Sequence, residues 1–148
     1  MLYFGQEVGE DGIDGADGRT SIFNWSDPPE LRELYRALHG GAPLAPAEAD
    51  MLARYRELCS YAKRPAFAEG GTWDLTYCNE NAPGYDPERH FAFVRFSADE
   101  AWLVLCNYSD IPASVTLSLP PELRKRISRP ETKTTTAPAW DAAVVRMI

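Results

Sequence analysis

The chain has 148 residues, 45% apolar and 25% charged, enough to bury a core in one domain or two small units. Its net charge of −7, with no basic block beyond Leu123–Arg126, argues against a nucleic-acid or anionic-membrane partner and leaves uncharged ligands open. No apolar run approaches the roughly 18 residues of a membrane-spanning helix, and no charged-then-apolar leader opens the chain.

In chain order, Met1–Phe4 is a short apolar run ended by Gly5, the pattern of a strand buried on both faces in a parallel sheet. The loop "GEDGIDGADGRT" follows, with Asp11, Asp14 and Asp17 each preceding a glycine. An EF-hand loop needs ligands at alternate positions, glycine at the sixth and glutamate at the twelfth. Here the acids recur every third residue, and the twelfth position counted from Asp11 is Ile22. The spacing predicts a solvated loop or the rim of a site, with a non-standard calcium site as the alternative.

Two helices are predicted next. In "SDPPELRELYRALHGG", Asp27 stands as N-cap before two prolines, Leu31, Leu34, Tyr35 and Leu38 share a face, and Gly40–Gly41 ends the pattern. In "PAEADMLARYRELCSYAKRP", Met51, Leu52, Tyr55, Leu58, Cys59 and Ala62 form one apolar stripe, bounded by Glu48 and Asp50 at the start and by Lys63, Arg64 and Pro65 at the end.

After Gly70–Gly71 the period changes to two. "TWDLTYC" puts Trp73, Leu75 and Tyr77 on one face; "HFAFVRF" is nearly apolar on both; "AWLVLCNY" follows a turn at Ser97–Glu100. "ASVTLSL" alternates Val115, Leu117 and Leu119 against Ser114, Thr116 and Ser118. Thr132–Thr136 and "AAVVRMI" supply two further runs. The pattern predicts an antiparallel β-sandwich over residues 71–148, preceded by helices and an orphan strand over residues 1–70.

Chemistry-bearing residues are sparse. Cys59, Cys78 and Cys106 are odd in number and lack C-x-x-C spacing, so they read as reduced, packed thiols rather than metal ligands, and reduced cysteines favour a cytoplasmic setting. His39 and His90 fall in different architectural units, which argues against a ligand cluster. Trp73, Trp102 and Trp140 are candidates for stacking on sugars at the surface, against the plainer reading of Trp73 and Trp102 as core packing. No cofactor motif and no complete catalytic constellation is present.

Several segments resemble the α-amylase family of glycoside hydrolases, family 13. "MLYFGQEVGE" looks like its eighth barrel strand, with Tyr3, Phe4, Gly5, Gln6 and Glu7 in place of a Tyr-x-Gly-x-Glu type signature. "DGRTSIFNW" resembles the segment that follows it. "MLARYRELCSYAKRPAFAEG" is similar to the eighth barrel helix, whose end is matched by Arg64, Pro65, Ala66, Phe67 and Gly70. "HFAFVRFSADEAWLVLCNYSD" looks like the first hairpin of the C-terminal β-domain. The resemblance runs to about Leu119.

It implies an α+β fragment: the last strand and helices of a (β/α)8 barrel, then the antiparallel β-sandwich C-terminal domain. The expected parent is a retaining glycosidase or transglycosylase acting on α-glucans such as starch or maltooligosaccharides, with calcium an option in the parent and no cofactor expected here. The alternatives are a carbohydrate-binding β-sandwich module and a structural or interaction domain with no sugar role. Retention needs two carboxyl groups about 5 Å apart, and the family's positions for them would lie upstream of Met1. No catalytic residue is therefore carried over. Barrel sites lie at the C-terminal ends of the strands, so Gln6, Glu7, Asp17 and Arg19 are expected beside substrate or a neighbouring loop. The isolated chain is expected to be inactive, and Met1–Val8 to be either frayed or paired non-natively, a dimer through the barrel-facing surface being one form of that pairing.

Overall fold

The computed structural model describes residues 2–3, 5–11, 27–127 and 131–148. These fall into two compact units, Met1–Tyr61 and Ala62–Ile148.

In the first unit, the expected strand over Met1–Phe4 is not seen at Leu2 and Tyr3, which are exposed and outside any strand; Met1 and Phe4 lie outside the described residues. A lone strand leaves its N–H and C=O groups unpaired, and the chain instead closes bonds locally. Gly5 turns at φ 88°, and a 3-10 turn over Gln6–Val8 follows, with Val8 buried.

Helix α1 spans Pro29–Leu38 and helix α2 spans Pro46–Ala62. Asp27 does not cap α1. Pro28 takes the N-cap position, and the Asp27 carboxylate pairs with Arg32 at 2.6 Å. The first amides of α1 are instead met from twenty residues away, where Glu10 Oε2 accepts the N–H groups of Glu30 (3.1 Å) and Leu31 (3.4 Å). In α2, Glu48 reaches back to accept the Ala45 N–H at 3.0 Å, half of a capping box. The helix ends at Ala62, so Lys63 and Arg64 fall beyond its last turn.

The second unit opens with the short helix α3, Pro65–Ala68, and strand β1, Gly71–Asp74. The run predicted through Cys78 breaks there, because Asp74 Oδ1 accepts the Thr76 N–H at 2.7 Å and starts helix α4, Thr76–Asn79. Leu75 is consequently sealed while Tyr77 is exposed. Strands β2 (His90–Phe96), β3 (Ala101–Asn107) and β4 (Ala113–Ser118) follow their predicted runs closely. Helix α5, Pro121–Ile127, was not expected, and it buries Leu123 and Ile127 one turn apart. Strands β5 (Thr132–Ala137) and β6 (Asp141–Arg146) complete the unit.

All strand pairs are antiparallel, in a four-stranded sheet of order β1-β2-β3-β6 and a two-stranded sheet β4-β5. One cluster takes side chains from both: Ala92, Val94, Leu103 and Leu105 from the first, Val115, Leu117 and Ala137 from the second, closed by Leu123 and Ile127 of α5. The outer edge of β4 is partly paired by a side chain. Asn79, 1% exposed, accepts the Ser118 N–H (2.7 Å) and donates to the Ser118 carbonyl (3.1 Å) as a neighbouring strand would.

Candidate functional site

The segment Arg64–Gly70 is held by Arg95, Glu100 and Trp102 of the β2–β3 hairpin. Pro65 sits at the first position of α3, with φ pre-set for a helix. The next residue, Ala66, is fully buried. Its N–H is donated to Glu100 Oε1 at 3.0 Å, and Glu100 Oε2 accepts the Trp102 indole N–H at 3.1 Å. Glu100 is 6% exposed and also faces Arg64 Nε at 3.6 Å. The Ala66 N–H holds its carboxyl below the usual range despite the opposing push of burial, with help from Trp102, Arg64 and Arg146.

Arg95 satisfies the carbonyls at the other end of the turn. Its Nε donates to Ala66 O (2.9 Å), and one terminal nitrogen donates to Phe67 O (2.8 Å) and Gly70 O (2.9 Å). The other terminal nitrogen donates to the Thr72 hydroxyl. Gly70 fits this joint because a Cβ there would stand 2.4 Å from the Ala66 and Phe96 carbonyl oxygens. The Trp102 ring lies beneath the Arg64 guanidinium (5.0 Å), with Arg146 (5.9 Å) and the Phe67 ring (6.2 Å) around it.

The first unit carries the other candidate surface. A groove of about 360 Å³ is lined by Leu2, Tyr3, Glu7, Leu52, Tyr55, Arg56 and Cys59. No residue of α2 is buried, and among the unit's described residues Val8 is the one buried large apolar side chain. Leu2, Tyr3, Tyr35, Leu38, Met51 and Leu58 are all exposed by more than two-fifths. The predicted stripe on α2 therefore exists and lies largely uncovered.

Glu7 lies in this groove, while Gln6 is exposed and accepts the Tyr3 N–H at 3.2 Å. Asp17 and Arg19, with most of the aspartate loop, lie outside the described residues. Of the three tryptophans, Trp102 is 7% exposed. Trp73 packs against the core and donates its indole N–H to the Tyr77 hydroxyl at 3.3 Å. Trp140 is 70% exposed. His39 ends α1 in the first unit and His90 begins β2 in the second. No cluster of three metal-ligating side chains occurs among the described residues.

Comparison with known proteins follows the fold rather than the sequence. No family model and no curated protein sequence matches the chain. Among solved structures, the ligand-free cyclic α-maltosyl-(1→6)-maltose hydrolase of Arthrobacter globiformis aligns with 100% of this chain at a TM-score of 0.53 and 18% identity. The likeness is one of fold. This chain covers 27% of that hydrolase's length. Isomaltulose synthase of Klebsiella sp. LX3 aligns with 88% of this chain and 25% of its own at TM-score 0.40 and 18% identity, too loose a match to argue from.

Sequence reasoning missed Glu100, Arg95 and Asn79 as the residues that fix these joints. Arg95 did carry a signal: a cation in a run otherwise apolar on both faces must be paired where it is covered.

Proposed function

We propose that this chain is the C-terminal portion of an α-amylase-like glycoside hydrolase acting on α-glucans. In this reading residues 1–70 are the end of the (β/α)8 barrel and residues 71–148 are the C-terminal β-sandwich. The observation that carries it is the alignment of the whole chain with about a quarter of a maltosyl-maltose hydrolase, at a TM-score above 0.5. The motifs around Glu7, Arg64–Gly70 and the β2–β3 hairpin support the same assignment.

The state of the first unit supports it physically. None of the 17 residues of α2 is buried, whereas helices in proteins draw most of their stability from packing an apolar face. Its apolar stripe fits a neighbouring layer of barrel, whose docking would remove Met51, Leu52, Tyr55 and Leu58 from water. The role of the chain is then to close and stabilise the barrel, while Glu7 and Gln6 stand near its substrate-bearing end. The catalytic carboxylates belong to the remainder of the enzyme.

The test is an assay of the purified chain on maltooligosaccharides together with its hydrodynamic state. The expected result is no turnover, with concentration-dependent self-association that Met51→Glu/Leu58→Glu abolishes. Hydrolysis that disappears in Glu7→Gln, or a monomer whose α2 amides exchange as slowly as those of β3, would overturn the reading.

A further inference from the structure

We infer that the second unit holds a separate binding site for an uncharged polyhydroxylated ligand, a short sugar, in the cavity beside His90. The cavity measures about 380 Å³ and lies between the turn leading into β2 and the loop from β3 to β4, within the size range of small-ligand pockets.

His90 is 8% exposed, and its ring borders this cavity. Its Nδ1 accepts the Asp86 N–H at 2.9 Å, which leaves the ring proton on Nε2. Among the described residues that Nε2–H has no partner, yet it is not sealed from solvent. A covered ring with one nitrogen fixed and the other to spare is a positioned donor. Asp86 and Arg89 border the same space and face each other at 3.5 Å, so the cavity offers donors and an acceptor with no net charge. Ile111 and Pro112 give it an apolar wall.

This set selects the ligand class. An anion would meet the Asp86 carboxylate, and an apolar ligand would bury the His90 donor unpaired, which is costly. A sugar hydroxyl both donates and accepts, and the C–H face of a pyranose suits the Ile111–Pro112 wall.

Both walls are pre-set. On one side the Tyr85 hydroxyl donates to the His90 carbonyl at 3.2 Å, and Tyr108 N–H donates to the Arg89 carbonyl at 2.8 Å. Gly84, at φ 80°, lets the turn approach β4 where a Cβ would stand 2.6 Å from the Ser114 carbonyl. On the other side Asn107, 1% exposed, donates to the Ile111 and Pro138 carbonyls at 2.8 Å each and accepts the Ser109 N–H and hydroxyl. Fixed walls lower the ordering cost of binding. With no ring free to stack, affinity is expected in the millimolar range.

The choice of maltose as probe rests on the glycoside hydrolase reading; the sugar class rests on the cavity alone. The test is an NMR titration of the whole chain with maltose, methyl β-galactoside and sodium phosphate, reading the His90 imidazole with His39 as internal control. Maltose is expected to shift His90 saturably and leave His39 unmoved. Arg89→Ala, at a site exposed enough to spare the fold, is expected to weaken binding about fivefold or more. His90→Phe is expected to abolish it. Saturation by the galactoside alone would support the site while counting against the α-glucan reading. A response to phosphate alone, equal shifts at both histidines, or no response to either sugar would overturn the proposal.

Discussion

Replacing Glu100 with alanine tests the joint at the head of the second unit. The substitution removes the acceptor of two covered donors, the Ala66 N–H and the Trp102 indole N–H, and the partner of Arg64. Each orphaned donor costs about 1–3 kcal/mol. The Arg64 pair adds little, about 0–1 kcal/mol, because that side chain is 42% exposed. Partial access of water to the opened site offsets some of this, so the expected loss is about 2–5 kcal/mol. Glu100→Gln keeps one acceptor oxygen but presents its amide donors to other donors, and should lose about half as much. Urea unfolding of the chain, followed by tryptophan fluorescence, reads the loss, and exchange of the Ala66 amide localises it. The pH dependence follows from the sign of the shift. The carboxyl is held below its ordinary value in the folded chain, so its contribution is complete above the unfolded value of about 4.3. It fades as pH falls through the lower folded value, where the protonated acid resembles glutamine. The wild-type advantage over Glu100→Gln should therefore be level at neutral pH and shrink in acid. A Glu100→Ala loss under about 0.5 kcal/mol, the range of ordinary surface changes, or an advantage that grows in acid, would refute this account.

Arg95→Met keeps the aliphatic stem but frees the carbonyls of Ala66, Phe67 and Gly70. It should cost about 2–4 kcal/mol in the same assay, with Arg95→Lys recovering less than half because one ammonium cannot span the fork of contacts. Full recovery by lysine would count against the shared role of those bonds. Glu10→Ala should cost about 1 kcal/mol by uncapping α1. The amides of Glu30 and Leu31 would then exchange faster, whereas unchanged exchange would mean that other groups cap the helix.

Much of the second unit was legible from residue order, because a strand half covered by a core shows period two. Val115 and Leu117 alternate with Ser114 and Thr116, and β4 buries and exposes them as written. Helix α5 was not expected, since within its seven residues only the pair Leu123 and Ile127 marks a buried helical face. The break after β1 depended on one local competitor, the Asp74 carboxylate, which takes the Thr76 amide and starts helix α4 in place of further strand.

The sequence by itself determined the strand runs from His90 to Ser118 and the apolar stripe on α2, because periodicity and residue type are local properties. Tertiary structure alone decided which polar residues meet. Glu10 reaches Glu30, Asn79 reaches Ser118, and Glu100 and Arg95 reach back to Ala66 across about thirty residues. It also decided that Trp102 is covered and Trp140 is not, and that one nitrogen of the His90 ring is held by the Asp86 amide. Such pairings follow from strand register and loop closure over long separations, and no window of neighbouring residues encodes them.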